Sequence, residues 1–339
     1  PPGRGGGGAA PAAPSGLARL LKMLPSLDIV NKVLFPIPAP SYTADEFADE
    51  LVWVPKGLDR RRASHEDFVP CLLFTASSAR FFMLYCHTNA EDLGRVHPLC
   101  KALSEQFHVH VLAVEYPGYG ICPGRPDEGS LTENAMAALE FLRHTLLWPL
   151  EDIIVMGRSI GCCPALRLAA SRRVHGLVLV APFTSARDVF REHLGRLADL
   201  VEERFPNAEL VGAVTSPVLI VHGKQDTLVP WTHGQALYQA CRTRKRLVAP
   251  DAMHHNTDLF EDPRYFVLPM LSFFALPDYA FEDLHIPAWA FKKRLPWTKA
   301  DELLPADSVF GAPGVCAWGS AGSGAIEHVS AQTYRPRWG

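Results

Sequence analysis

The sequence predicts an α/β protein with a mostly parallel central sheet, helices on both faces and an antiparallel start. Three observations carry this. From about residue 50 to 278, β-rich apolar runs alternate with helical patterns, the signature of βαβ units. The first strand-like runs follow one another with no helical pattern between them, which reads as antiparallel pairing. The chain of 339 residues is 48% hydrophobic and 20% charged, enough apolar material for a sizeable core and too much for a disordered chain.

The strand-like runs are Leu51–Val54, Cys71–Thr75, Phe81–His87, Val109–Glu115, Ile153–Gly157, Val174–Ala181, Val218–His222 and Arg246–Pro250. Helical patterns cover Ala90–Gln106, Leu131–Leu147, Ile160–Ser171, Ser185–Phe205, His233–Cys241 and Pro263–Phe274. Crossovers between parallel strands are right-handed by default. The central domain is therefore placed at 50–278. Residues 1–49 precede it as a low-complexity and amphipathic segment. In it Leu17, Leu20, Leu21 and Leu24 recur at helical spacing before Pro25. That short amphipathic turn suits packing on the body, with a membrane-surface anchor as the alternative. Residues 279–339 lose all clear period and read as an irregular tail that wraps the body at first.

A net charge of −3 gives no reason to expect a nucleic-acid partner. No run of 18 apolar residues is present, so no membrane span is expected. The eight cysteines form no C-x-x-C pair and most sit inside apolar runs. They read as small buried hydrophobes of a reducing compartment rather than a disulfide framework or zinc site. His108 and His110 alternate along one predicted strand, but two ligands make a poor metal site. Arg60-Arg61-Arg62, beside Ser64, reads as a solvated loop. Cys162 and Cys163 read as buried rather than lipidated.

The chemistry centres on Gly157-Arg158-Ser159-Ile160-Gly161, a G-x-S-x-G pattern between an apolar strand and an Ala/Leu-rich helix. A nucleophile elbow requires that setting, with glycines where the turn is too tight for Cβ atoms. A serine hydroxyl needs a base, and the base needs a third group to orient it. In this architecture the chain order is Ser, acid, His. Asp226 follows the run Val218–His222, at the carboxyl end of a strand where such sheets place their sites. A turn-forming role is its alternative, and Asp199 and Glu202 are rivals within a helical pattern. For the base, the loop Met253-His254-His255-Asn256 offers two adjacent histidines, of which one can face Ser159. His87, His222 and His233 lie near other strand ends and read as structural.

The oxyanion hole takes one amide from Ile160, the residue after the nucleophile, and a second from the loop after an earlier strand. Phe81–His87 is such a strand, and Thr88-Asn89-Ala90 is expected to open the next helix, whose amides suit an anion. Tyr116-Pro117-Gly118-Tyr119-Gly120 ends the following strand and borders the pocket.

Together these elements resemble the α/β-hydrolase superfamily, and more closely its domain-containing protein 17 group, the protein depalmitoylases. The resemblance spans about residues 32–275. It rests on His87-Thr88-Asn89-Ala90, on Tyr116–Gly120 with Gly124-Arg125-Pro126, on Gly157–Gly161 and on Phe205-Pro206-Asn207. It continues through Thr215–Leu219, His222-Gly223, Asp226, His233-Gly234, Ala236–Tyr238, Cys241 and His255-Asn256, and starts at Lys32–Phe35. It implies an α/β-hydrolase fold with Ser159 as nucleophile, Asp226 as acid and His255 as base. The amides of Asn89 and Ile160 would form the oxyanion hole, with His87, Thr88, Tyr116 and Gly118 bordering the pocket. Thr88 and His254 stand where the group has glycines, and Thr88, beside the oxyanion loop, is expected to restrict either backbone approach or pocket width. The group's N-terminal cysteine cluster is absent from residues 1–70.

The expected activity is serine-dependent acyl transfer on a thioester or ester, with no metal and no organic cofactor. The resemblance implies an S-acylated protein or acyl-ester substrate as partner, met in the cytoplasm with peripheral membrane contact. Lipid esterase, lysophospholipase or serine aminopeptidase activity keeps the same chemistry. A catalytically silent scaffold is the alternative of another class.

Overall fold

The computed structural model describes residues 31, 34–57, 67–200, 202–280 and 283–291. Eight strands form one sheet: β1 (Leu51–Pro55), β2 (Phe68–Phe74), β3 (Phe82–Cys86), β4 (His110–Val114), β5 (Ile153–Arg158), β6 (Gly176–Val180), β7 (Val218–Val221) and β8 (Lys245–Val248). Their order is β1-β2-β4-β3-β5-β6-β7-β8. β2 pairs antiparallel with both β1 and β4, and every other neighbour pair is parallel. This is the α/β-hydrolase fold expected from the sequence.

The helices are α1 (Leu93–Phe107), α2 (Glu128–His144), α3 (Cys162–Ser171), α4 (Ala186–Leu194), α5 (Asn207–Leu210), α6 (Thr232–Ala240) and α7 (Val267–Phe274). Alternate residues of the strands feed two cores, as the two-residue pleat requires. Leu84, Val155 and Leu179 pack with Ala138, Leu142, Leu166 and Leu237 of α2, α3 and α6. Met83, Met156 and Val178 pack on the other face with Cys100, Leu103, Met270 and Phe273 of α1 and α7. Helices on both faces explain why the inner strands are apolar along nearly their whole length, whereas the edge strand β8 begins with Lys245 and Arg246 and has no fully buried residue.

Several helix boundaries differ from the expectation, the start of the last helix at Val267 rather than Pro263 among them, and three of the differences have a clear local cause. α1 starts at Leu93 rather than Ala90, because Asp92 is its N-cap: its carboxylate accepts the Arg95 N–H at 3.2 Å. α2 starts three residues early, at Glu128, behind a capping box made by Asp127 and Ser130. The predicted helix Ser185–Phe205 stops at Leu194, where Gly195 takes φ 55°, and continues as a 3-10 turn over Gly195–Leu200. His108 is the left-handed cap of α1 (φ 51°) and not a strand residue, so it does not share a strand face with His110.

Asn31, Leu34 and Phe35 form part of a segment leading into the domain, and Trp289 packs edge-on against Phe141. The Leu17–Leu24 turn, Arg60–Arg62, Ser64, Cys316 and most of the tail fall outside the described residues. Among the described residues no helix is long and apolar enough to cross a membrane.

Candidate active site

The carboxyl ends of the parallel strands lie along one edge of the sheet, and the expected site residues emerge there. β5 delivers Ser159 on a sharp turn. Its φ of 53° lies in the left-handed region, sparsely used by residues with a Cβ. The flanking glycines have a steric cause. A Cβ on Gly157 would overlap the carbonyl of Gly161, and one on Gly161 would overlap the carbonyl oxygens of Cys86 and His87. The elbow is thus pressed against the start of the loop after β3. A 3-10 turn over Ser159–Gly161 runs into α3, so the Ile160 amide sits at the open N-terminal end of a helical run.

Asp226 follows β7 and His255 follows β8. His255 Nδ1 lies 2.7 Å from Asp226 Oδ2, and its Nε2 lies 3.1 Å from Ser159 Oγ. The second carboxylate oxygen of Asp226 accepts the N–H groups of Leu228 at 3.0 Å and Val229 at 2.8 Å. His222 donates from Nε2 to the Val229 carbonyl at 2.9 Å and lies 3.4 Å from Asp226 Oδ2. Burial pushes the Asp226 pKa up, but hydrogen bonds from His222, His255 and Val229 outweigh it and hold the carboxyl well below its usual range. All three residues are buried.

The rivals stay outside this cluster. Asp199 is exposed and pairs with Arg191 at 2.8 Å, and Glu202 is exposed beside Arg204. His254 is exposed, with Nδ1 3.0 Å from the Gln225 carbonyl. His233 is buried with Nδ1 2.9 Å from Thr184 Oγ1.

The loop after β3 carries Thr88 and Asn89. It is a turn before α1 rather than the first turn of the helix. Asn89 is anchored through its side chain, donating to the Leu34 carbonyl at 2.7 Å and accepting from the Tyr119 hydroxyl at 2.8 Å. Thr88 is half-buried, and its φ is not positive; the left-handed residue of this loop is Ala90, at φ 58°. The expected backbone conflict at Thr88 is therefore absent. Gly118, at φ 82°, turns the neighbouring loop.

A sequence profile of the alpha/beta hydrolase family matches residues 68–212. Over 247 residues the chain is 30% identical to alpha/beta hydrolase domain-containing protein aho-3 of Caenorhabditis elegans, covering 68% of this chain and 74% of that protein. It is 30% identical over 251 residues to alpha/beta hydrolase domain-containing protein 17B of Xenopus laevis, covering 68% and 86%. The chain belongs to the alpha/beta hydrolase family. A solved esterase of Pyrococcus furiosus, at 15% identity, superposes with a TM-score of 0.56 over 70% of this chain and 96% of that one, a likeness of fold.

Two residues expected at the pocket border of this alpha/beta hydrolase are held in a buried polar network. His87 and Tyr116 are fully buried. The Tyr116 hydroxyl donates to the His87 carbonyl at 2.7 Å, and the His87 ring sits 3.0 Å from Glu115 Oε1. Glu115 also accepts from the Tyr42 hydroxyl and the Leu93 and Tyr116 amides, at 3.0–3.1 Å. Sequence reasoning assigned Glu115 no role. Its only signal is a carboxylate placed at the end of an apolar strand, which burial forbids unless donors surround it. Cys162 and Cys163 are buried free thiols whose pKa burial pushes up, so neither is a reactive thiolate.

Proposed function

We propose that the protein is a serine hydrolase that cleaves acyl thioesters or esters, with S-acylated protein as its substrate. The observation that carries the reading is the continuous hydrogen-bonded line from Ser159 Oγ through His255 to Asp226. With Asp226 ionised, Nδ1 of His255 holds the proton and donates it to the carboxylate. Nε2 is left as the acceptor facing the serine hydroxyl.

In the reaction His255 Nε2 takes the Ser159 proton as Oγ attacks the acyl carbon. Asp226 steadies the imidazolium, and the two amides of Asn89 and Ile160 hold the oxyanion. Their segments are neighbours because Gly161 packs on the Cys86 and His87 carbonyls. The imidazolium then gives its proton to the leaving thiolate or alkoxide. Water, deprotonated by His255, attacks the acyl-serine, and collapse of the second intermediate returns the proton to Oγ. Every step balances with the chain's own groups and one water.

The choice of an S-acylated protein, met at a membrane surface, rests on the resemblance to the depalmitoylase group and on relatives such as the 17B protein. It is tested by assaying the purified chain side by side on a palmitoyl-cysteine peptide, a short-chain ester, a lysophospholipid and an aminoacyl amide. The expected kcat/KM on the thioester exceeds that on the amide at least about tenfold, about 1.4 kcal/mol of transition-state stabilisation. Preference for the amide sinks the thioesterase reading, and preference for the lysophospholipid moves the substrate to lipid. Absence of turnover and of fluorophosphonate labelling leaves a silent scaffold.

A further inference from the structure

The residue just before the nucleophile in the elbow, Arg158, has no part in the relay just described, yet it makes two specific contacts. Its Nη2 donates to the His255 carbonyl at 2.9 Å and to the Thr257 carbonyl at 3.0 Å. Among the described residues no carboxylate pairs with it, so these carbonyls are what its guanidinium serves.

The loop that carries His255 needs such a contact. Between β8 and α7 the chain makes only turns. Before His255 it is tied to the acid loop, with Gln225 N–H donating to Met253 O at 3.1 Å and Lys224 N–H to Pro250 O at 2.9 Å. At and beyond His255, the main chain is held by the local turn from His254 to Thr257 and the fork of Arg158, beside the side-chain bonds of His255 and the burial of Leu259 in the core. Arg158 directly precedes Ser159 in the chain. One side chain therefore joins the backbone of the nucleophile to the backbone of the base, across 97 residues of sequence.

We propose that Arg158 is a positioning residue that tethers the base loop to the nucleophile elbow and so sets the separation of His255 Nε2 from Ser159 Oγ. This rests on the serine-hydrolase reading above. A guanidinium suits the task because it is always charged and bridges two acceptors with fixed geometry, which an ammonium on a flexible stem does less well. Misplacement of a reacting group by about 1 Å can cost about a hundredfold in rate.

The test compares wild type with Arg158→Lys, Arg158→Gln and Arg158→Ala on a soluble p-nitrophenyl ester, with thermal unfolding of each. The expected result is a kcat lowered about tenfold to a hundredfold in the Ala and Gln variants, at KM within about twofold of wild type. Arg158→Lys should fall between. Guanidinium chloride should restore part of the kcat of Arg158→Ala, where sodium chloride at the same concentration does not. Fluorophosphonate labelling of Ser159 should slow in parallel. Full kcat in both the Ala and Gln variants overturns the tether. So does a defect confined to KM, which would make Arg158 a substrate contact. A loss that guanidinium leaves untouched, and that tracks a lowered unfolding temperature, also overturns it by reducing Arg158 to a packing strut. In each of these cases wild type still labels and turns over. Failure of wild type to label sinks the serine-hydrolase reading instead.

Discussion

Gly161 lies against the carbonyl oxygen of Cys86, so close that a Cβ on Gly161 would overlap it. The elbow helix and the strand before the oxyanion loop are thereby packed backbone to backbone. Gly161→Ala is expected to cost about 3 kcal/mol, the upper end of overpacking effects, because a main-chain oxygen cannot yield as a side chain can. Activity should fall further than stability does, since the shift separates the Ile160 and Asn89 amides. Chemical denaturation and ester turnover of the one variant check both parts. A Gly161→Ala protein as stable as wild type contradicts the contact.

Ser159→Ala should lose fluorophosphonate labelling and drop turnover to the residual level of hole and binding while keeping its unfolding temperature. Asp226→Asn should lower kcat by roughly 10⁴ with little change in KM. The amide offers its N–H₂ to His255 Nδ1 and favours the imidazole tautomer that cannot accept the serine proton. An active Asp226→Asn beside an inactive Asp199→Asn would move the acid elsewhere, against the exposed Asp199–Arg191 pair.

Much of this architecture is legible in the sequence because the forces involved are local or periodic. A strand covered on both faces must be apolar along its whole length, so Ile153–Met156 and Val218–Val221 announce themselves. That Asp226 and then the His254-His255 pair follow Ser159 at strand ends is read from the pattern, while the choice of His255 over His254 rests on the resemblance. What the sequence hides are contacts made by side chains from distant positions. Asp92 falls in the first turn of the helix expected from Ala90, yet it caps α1 and takes the Ser41 amide at 2.6 Å, 51 residues away. Arg158 sits openly inside the elbow motif, but its partners are carbonyls, which every residue carries and no pattern marks. Glu115 is hidden for the same reason, its donors coming from Tyr42, His87, Leu93 and Tyr116.

His254→Ala and His255→Ala should separate cleanly. His254 is exposed, and its loss removes one contact to the Gln225 carbonyl, so stability should change by less than about 0.5 kcal/mol and kcat by less than about threefold. His255→Ala should leave only the residual catalysis of the site. Kinetics on the two variants decide the matter, and a dead His254→Ala with an active His255→Ala would reverse the assignment.

Thr88 occupies a position whose backbone is not left-handed. Thr88→Gly should therefore leave kcat within about twofold, and should lower stability by about 0.4–1 kcal/mol through the freer unfolded chain. Ala90→Gly should be the stabilising change, since φ 58° costs alanine roughly 1–2 kcal/mol, more than the added flexibility of glycine. Urea midpoints of both variants test this. A faster Thr88→Gly enzyme would show that the threonine side chain, rather than its backbone, constrains the pocket.

The final prediction concerns acid. His110 lies in β4, its ring between Phe82 at 5.0 Å and Trp148 at 5.2 Å, with Nδ1 accepting the Ala76 N–H at 3.3 Å. Burial pushes its pKa down to about 4, and His108 nearby adds to the shift, while a backbone hydrogen bond opposes it. Burial lowers the pKa of His175 and His233 as well. Between about pH 6.5 and 4 the unfolded chain binds a proton at His110 that the folded chain resists, and His175 and His233 act in the same direction. Stability is therefore full above about pH 6.5 and falls as the pH drops through that window. For His110 alone the loss by pH 4 is up to about 3 kcal/mol, from 1.36 kcal/mol per pKa unit. Asp226 acts in a lower window: its depressed pKa contributes stability that is present above about pH 4 and lost below it. His110→Phe keeps an aromatic ring against Phe82 and Trp148 and removes the titration, at the cost of one partner for the Ala76 amide. Its stability at pH 7.5 should drop by about 1–2 kcal/mol, while its slope against pH between 6.5 and 4 should be shallower than that of wild type. Urea denaturation of the two proteins across this range measures the slope. Parallel curves would mean that His110 titrates alike in the folded and unfolded chains, and would remove it as the source of the acid lability.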